Sequence, residues 1–198
     1  MTMNAMPRID RASLMTLETY ARERPQFRAK VIAHKKHRTV HLGEHVTLIF
    51  EDELTIRYQV QEMLRIERIF EEEGIKEELA AYNPLVPDGR NLKATMMIEY
   101  PDPDERSRLL AQLIGIEDRA WIKVGAHERV WAVADEDLER ENEEKTSAVH
   151  FLRFELDEAM VQALKKGAGL AIGVDHPRYS ATLEAPSAVR DSLARDLA

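Results

Sequence analysis

Residues 48–72, LIFEDELTIRYQVQEMLRIERIFEE, decide how the rest of the chain is organised. Successive residues of an α-helix are rotated by about 100°, so this stretch acquires an apolar face and an opposite charged face. The pattern predicts an amphipathic central helix over about residues 52–72, with Asp52 as its N-cap and Gly74 after its end. The residues on the predicted apolar face are Ile56, Val60, Met63, Ile66 and Phe70.

Three polar residues interrupt this apolar face. Gln59 and Glu67 fall inside the apolar arc and Glu62 lies at its edge. Because an isolated buried carboxylate costs several kcal/mol or more, Glu67 needs a partner. One interpretation moves Glu67 to the rim of the helix, where it pairs with a surface arginine. The other is a polar pocket, in which Gln59, Glu62 and Glu67 orient a ligand, a metal or a basic side chain, with Arg24 and His34 as the preferred partners.

The composition predicts a globular protein with a packed core. The chain has 198 residues, of which 44% are hydrophobic and 32% charged, as expected for one domain or at most two small ones. It has no apolar run of membrane-spanning length, and its amino terminus, MTMNAMPRIDR, lacks the apolar segment of a secretory signal. We therefore expect a cytoplasmic protein that does not enter a membrane.

The chain contains no cysteine. This excludes disulfides, thiolate nucleophiles and thiolate-ligated zinc or iron-sulfur sites, so any redox chemistry must belong to a partner.

The formal charge of -8 argues against general nucleic-acid binding. Charge is unevenly spread along the chain. Residues 8–38 hold nine basic and three acidic residues, whereas residues 135–145 hold two basic and seven acidic residues. The basic arm is either a solvated helix face or a surface for an acidic partner, and the acidic run predicts a mobile loop without a fixed site.

Periodicity along the chain predicts an α+β fold, with several helices packed on a mainly antiparallel sheet. Closely spaced strands leave no room for crossover helices between most of them. We expect a single domain with a helical part at 10–90, a sheet-rich part at 91–185 and a C-terminal helix at 186–198. Helices are predicted at about 14–37, with a kink or break at Pro25, and at 75–82, 102–115, 157–166 and 187–197; strands are predicted at about 39–51 as a hairpin, 94–100, 119–134 as a pair, 148–156, 169–175 and 179–184.

Metal and cofactor sites have little support. His34, His37, His41 and His45 cluster in the sequence, but their spacing matches no defined zinc motif. No histidine follows a glutamate by three residues, so the ligand pair of a ferritin-like di-iron site is absent. We therefore expect neither a metal nor a cofactor.

A second candidate site is the strand end DHPRY, where Asp175, His176 and Tyr179 combine an acid, an imidazole and a phenol. A plain turn is the alternative interpretation of this segment.

Three segments, FEDELTIRYQVQEMLRIE, AYNPLVPDGRNLKATMMIEYPDPDER and DHPRY, resemble an uncharacterised bacterial family known only as a domain of unknown function. The resemblance covers nearly the whole chain and implies no catalytic residue. It implies genes encoded beside rubrerythrin and an iron-sulfur oxidoreductase, and hence a place in redox metabolism or peroxide defence. The matching residues are Phe50, Glu51, Thr55, Gln59, Glu62, Arg65, Glu67, Tyr82, Asn83, Pro87, Ala94, Thr95, His176, Pro177 and Tyr179.

The leading hypothesis is a non-enzymatic cytoplasmic accessory protein that binds a partner, with a redox protein as candidate, through its helical half. Self-association into a homo-oligomer is a further alternative. The rival hypothesis is a small-molecule-binding or metal-binding enzyme that uses Gln59, Glu62 and Glu67 with His34 or His176. Nucleic-acid binding through the basic arm ranks last, because the whole chain is acidic.

Overall fold

The computed structural model describes residues 9–137, 140, 142 and 144–198, and these form helices and strands that alternate along the chain. Short 3-10 helices occupy Arg11–Ser13, Asn83–Leu85 and Glu117–Arg119. The α-helices are α1 Leu17–Lys35, α2 Glu53–Ile66, α3 Glu72–Tyr82, α4 Pro103–Leu110, α5 Glu158–Lys165 and α6 Ser187–Ala194. The strands are β1 Thr39–Leu42, β2 Val46–Glu51, β3 Asn91–Ile98, β4 Ala120–Val124, β5 Arg129–Trp131, β6 Val133–Ala134, β7 Val149–Glu155, β8 Leu170–His176 and β9 Tyr179–Glu184.

The described strands form two antiparallel sheets, which confirms the predicted α+β class. One sheet has the order β1-β2-β3-β7-β6 and the other the order β5-β4-β8-β9. Alternate residues of β3 are buried, and Leu92, Ala94 and Met96 point into the main core. This core combines residues of both sheets with residues of α4, α5 and α6. Lys93, Thr95 and Met97 lie on the opposite, half-buried face of the strand.

A second, smaller core lies in the helical half, which we define as α1, α2 and α3. It consists of apolar residues from α2, α3 and the segment before α1, and α2 packs against both α1 and α3. α1 continues through Pro25, so the predicted helix is present without a break. None of the described helices combines the length and apolar character needed to cross a bilayer.

The central helix begins as predicted but ends earlier. The Asp52 carboxylate accepts the Thr55 N–H at 3.0 Å, and the Thr55 hydroxyl accepts the Asp52 N–H at 2.9 Å, which completes a capping box. The expected end near Gly74 is wrong, because α2 stops at Ile66 and Arg68 adopts a left-handed backbone with φ of 55°. α3 then starts at Glu72 and includes Gly74, with Glu72 and Glu73 beside its positive N-terminal end.

The described residues of the acidic run at 135–145 form no helix or strand, as expected for the predicted loop. Residues 138, 139, 141 and 143 lie outside the described part of the chain, whereas Asp135 and Arg140 make defined contacts. Arg140 donates to Asp135 at 3.2 Å and to Asp137 at 2.6 Å. The mobility of this loop stays a prediction.

Candidate functional site

The structure corrects the predicted polar pocket on α2. Gln59 and Glu67 are both exposed, and Glu67 is the C-cap of the helix. The buried amide is instead Gln61, whose side-chain oxygen accepts the Met15 N–H at 2.7 Å. The buried arc of α2 faces α1 and α3 and is therefore rotated from the predicted one. Its members are Thr55, Ile56, Val60, Gln61 and Leu64.

Glu62 is the predicted pocket residue that does find a basic partner. Its carboxylate accepts two hydrogen bonds from the Arg24 guanidinium, at 2.7 and 2.9 Å, and one from the Tyr20 hydroxyl at 2.6 Å. The bonds from Arg24 and then Tyr20 lower the pKa of Glu62 to about 2. Arg24 was predicted to pair with Glu67. The structure confirms Arg24 as a partner of an α2 carboxylate, but that carboxylate belongs to Glu62. This network joins α1 to α2, and it is a structural tie between helices.

His34 lies at the other end of α1 and also has an acidic partner. Its Nε2 is 2.5 Å from the Asp52 carboxylate, so the N-cap of α2 is held from outside as well as by its own capping box. His34 was predicted to meet Glu67, and this is wrong. Although burial opposes the charged form, the positive charge of Arg38, followed by the Thr55 and His34 hydrogen bonds, lowers the pKa of Asp52.

Arg38 is the buried charged centre that the sequence did not reveal. Its side chain is 1% exposed and pairs with Asp196 at 2.5 Å, which ties the chain end after α6 to the start of β1. Burial raises the pKa of Asp196 to about 6, against the attraction of Arg38. Only the tertiary fold brings these residues together, since they are 158 positions apart. The guanidinium also donates to the carbonyls of Phe50, Glu51 and Ser192.

The second predicted site does not form a common side-chain cluster. Asp175 pairs with Arg129 at 3.2 Å, while Nε2 of His176 lies 3.1 Å from the Ile114 carbonyl. The Tyr179 hydroxyl donates to the Leu42 carbonyl in the β1–β2 turn. Each of the three side chains therefore fastens the β8–β9 turn to a different neighbour, and the arrangement matches the structural alternative considered for this turn.

A buried histidine lies where the acidic run meets the sheet. Nδ1 of His150 is 2.6 Å from the Asp135 carboxylate, and Nε2 is 2.9 Å from the Thr146 hydroxyl and 3.8 Å from the Glu117 carboxylate. Candidate ligand atoms of Glu117, Asp135 and His150 lie within 4.8 Å of one another. Because the two carboxylates face opposite nitrogens of one ring, this arrangement fits a chain of hydrogen bonds better than a shared metal-ligand set.

The most exposed large apolar side chains of the described residues lie at the end of α2 and in the turn that follows it. Phe70 is 71% exposed and Ile66 is 58% exposed. A cavity of about 180 Å³ adjoins Phe70 and is lined also by Leu64, Ile69 and Ile75. We call residues 66–70 the α2–α3 corner. Ile66 and Phe70 were predicted to lie on the apolar face of the helix, and their exposure follows from the early end of α2.

Comparison with known proteins places the chain in a family. A crystal structure of a protein of unknown function from Burkholderia pseudomallei superposes with a TM-score of 0.92 and shares 57% sequence identity, over 96% of this chain and 99% of that one. No curated protein matches the sequence. The model of the family described as "Protein of unknown function (DUF3501)" matches residues 8–197. The chain therefore belongs to the DUF3501 family.

Proposed function

We propose that this protein is a non-enzymatic accessory protein that binds another protein through its helical half. The observation that carries the proposal is the exposure of Phe70 and Ile66 at the α2–α3 corner. A fully buried phenylalanine or isoleucine side chain contributes about 1.5 to 3 kcal/mol relative to an exposed one. Two such side chains held out by a short turn are typical anchors of a protein interface.

The surroundings of the corner define the surface that would receive it. Phe70 borders a shallow cavity that reaches the apolar side chains of Leu64 and Ile75, and both belong to the second core. The corner is therefore continuous with a packed core and is backed by two helices. An anchor supported in this way loses little conformational freedom on binding, which favours affinity.

Charge identifies the chemistry of the partner. Residues 65–78 contain six acidic and three basic residues. Arg65 pairs with Glu62 at 3.6 Å. Lys76 pairs with Glu73 at 3.4 Å and Arg11 with Glu72 at 3.0 Å, which leaves four acidic residues and Arg68 in this segment outside these pairs. The corner thus presents an apolar centre in an acidic rim. Its complement is a protein surface with an apolar pocket bordered by lysine or arginine.

The partner is proposed to be a redox protein. This part of the proposal is supported by the resemblance to a family encoded beside rubrerythrin and an iron-sulfur oxidoreductase. It is also consistent with a chain that has no cysteine and therefore contributes no thiolate ligand or redox disulfide of its own. In this role the accessory protein would hold or orient the electron carrier without transferring electrons itself.

The test compares the wild type with a Phe70→Ser variant and with a matched Ile32→Ser variant. Ile32 lies on α1 in the same helical half and is 45% exposed. Each tagged protein is cross-linked in cells, the captured proteins are identified by mass spectrometry, and affinity for the purified partner is measured by calorimetry. We expect Phe70→Ser to weaken binding by roughly tenfold to a hundredfold, Ile32→Ser to leave it unchanged, and added salt to weaken it.

Two outcomes contradict the proposal. Equal partner binding by the wild type and Phe70→Ser would remove the corner from the interface. Light scattering that finds a wild-type dimer and a Phe70→Ser monomer would make the corner a contact between two copies of this chain. Circular dichroism and thermal unfolding of each variant establish that it is folded before binding is compared.

A further inference from the structure

A cavity of about 390 Å³ lies between the helical half and the five-stranded sheet. Met63 of α2, Tyr82 of α3 and Leu85 of the following turn contribute apolar walls, and Phe151 of β7 contributes an aromatic one. A volume of this size suits a small organic ligand, because such pockets typically enclose a few hundred Å³. None of these residues belongs to the α2–α3 corner, so this cavity is separate from the proposed docking surface.

Lys93 brings a positive charge into this cavity. It lies on β3, opposite Glu51 on one neighbouring strand and Arg153 on the other, and its ammonium group donates to the Pro84 carbonyl. Within the described part of the chain, no carboxylate lies within 4.0 Å of its Nζ. Lys93 is half-buried, and burial lowers its pKa. The Pro84 carbonyl that it contacts is a neutral acceptor, so the ammonium group can bind an anion as a stronger, charge-assisted partner.

The other cations at the cavity already have carboxylate partners. Arg153 binds Glu136 through two hydrogen bonds of 2.9 Å and Glu155 through one of 2.7 Å. Arg140 binds Asp137 at 2.6 and 2.7 Å. Lys93 therefore differs from both arginines in having no described carboxylate within ion-pair distance, although Asp88, Glu136 and Glu155 attract it from farther away.

The acids of the lining restrict the charge of the ligand. Glu78, Glu136 and Asp137 also border the cavity, and they repel a second negative charge. Nucleotides and other polyphosphates carry several charges and usually need arginine clusters or helix N-termini. The lining instead suits a ligand with one negative charge and an apolar body.

We propose that this cavity binds a small monocarboxylate, whose carboxylate accepts a hydrogen bond from Lys93 and whose apolar body packs against Met63, Tyr82, Leu85 and Phe151. The carboxylate replaces water around the ammonium group and supplies a negatively charged acceptor at hydrogen-bond distance from Lys93. The aromatic and aliphatic walls contribute the remaining affinity.

Calorimetry with defined probes tests the proposal. Phenylacetate, benzoate and hexanoate carry one carboxylate on an apolar body, whereas phenylacetamide keeps the shape of phenylacetate without its charge. We expect at least one of the acids to bind at roughly millimolar concentration or better, and phenylacetamide to bind more weakly. The Lys93→Met variant keeps most of the side-chain volume and should weaken carboxylate binding by roughly tenfold to a hundredfold, as for a lost charge-assisted hydrogen bond.

A matched control and a second readout make the test specific. Lys123→Met removes another half-buried lysine from the middle of a strand, in the second sheet, and should leave binding unchanged. Amine labelling followed by peptide mass spectrometry should show that the bound acid protects Lys93 and leaves Lys123 reactive.

Several results would overturn the proposal. They are no binding by any of the three acids, equal binding of phenylacetamide, or unchanged carboxylate binding by a folded Lys93→Met variant. Tighter binding of inorganic phosphate or ATP than of the acids would show that the site takes a different class of anion. Carboxylate binding that falls equally in Lys93→Met and Lys123→Met would place the ligand elsewhere.

Discussion

Replacing Asp196 with asparagine tests how the buried charge of Arg38 is neutralised. Asp52 and Asp196 both approach this guanidinium, at 3.5 and 2.5 Å, but burial raises the pKa of Asp196 to about 6. A raised pKa means that the folded protein holds this proton more tightly than the unfolded chain does. The stabilising contribution is therefore complete below about pH 4 and is lost as the pH rises through about 6.

The magnitude follows from the two pKa values. The pKa of Asp196 rises from its ordinary value of 3.8 to about 6. Because a pKa change of one corresponds to about 1.4 kcal/mol, the contribution is about 3 kcal/mol. The physical reason is burial, which disfavours the charged form of Asp196 by more than the attraction and hydrogen bonds of Arg38 favour it. The nearby Asp52 carboxylate adds a smaller repulsion in the same direction.

Urea unfolding of the wild type and Asp196→Asn between about pH 4 and about pH 8 measures this effect. Asparagine keeps the size of the side chain and does not titrate, so the difference between the two proteins isolates Asp196 from the other acids. We expect the variant to gain about 3 kcal/mol of unfolding free energy relative to the wild type as the pH rises. A constant difference would refute the reasoning. So would a wild type that gains on the variant, since that is the behaviour of a net stabilising ion pair.

Two further substitutions test the helical tie and the sheet. Because the pKa of Glu62 is lowered from about 4.5 to about 2, its pairing with Arg24 stabilises the fold at pH values above 4.5. In urea unfolding, Glu62→Gln should therefore be less stable than the wild type at neutral pH, and the difference should shrink as the pH falls towards 2. A difference that does not change with pH would contradict this. An added Cβ at Gly173 would lie 2.6 Å from Cε2 of Trp121, so Gly173→Ala should lower the unfolding free energy by about 1 to 3 kcal/mol. An unchanged melting temperature would show instead that the indole moves aside at little cost.

Much of the fold follows from chemistry that is local in the sequence. Asp52, Asp102 and Asp157 were recognisable as helix starts, or lay directly before them, and each accepts a backbone N–H in the first turn. The sequence likewise predicted a strand at about 94–100, where β3 lies at Asn91–Ile98. The division of the strands between two sheets was not predictable in this way, because sheet order depends on contacts between distant segments. Local signals define the elements, and tertiary packing decides how they are assembled.

The candidate site was harder to predict because it depends on the rotation of one helix. Gln59 and Gln61 are two positions apart, which is about 200° on a helix, so an error in the buried arc exchanges one for the other. The arc was drawn through Ile66 and Phe70 on the assumption that α2 continues to about residue 72. Arg68 instead ends the helical path with φ of 55°, and the apolar residues beyond it become exposed.

Two proposed sites share the helical half, and their separation makes each a control for the other. Phe70 of the corner lies before the first turn of α3, whereas Tyr82 of the cavity is the last residue of α3, about 16 Å away along the helix at 1.5 Å per residue. On α2 the two sites are closer, since Met63 of the cavity lies three residues before Ile66 of the corner. Phe70→Ser should therefore leave phenylacetate binding intact, and Lys93→Met should leave partner binding intact. If each variant remained folded but lost both activities, the two surfaces would be energetically linked through α3. Bound carboxylate would then have to change the affinity for the partner by the same factor as the partner changes the affinity for carboxylate.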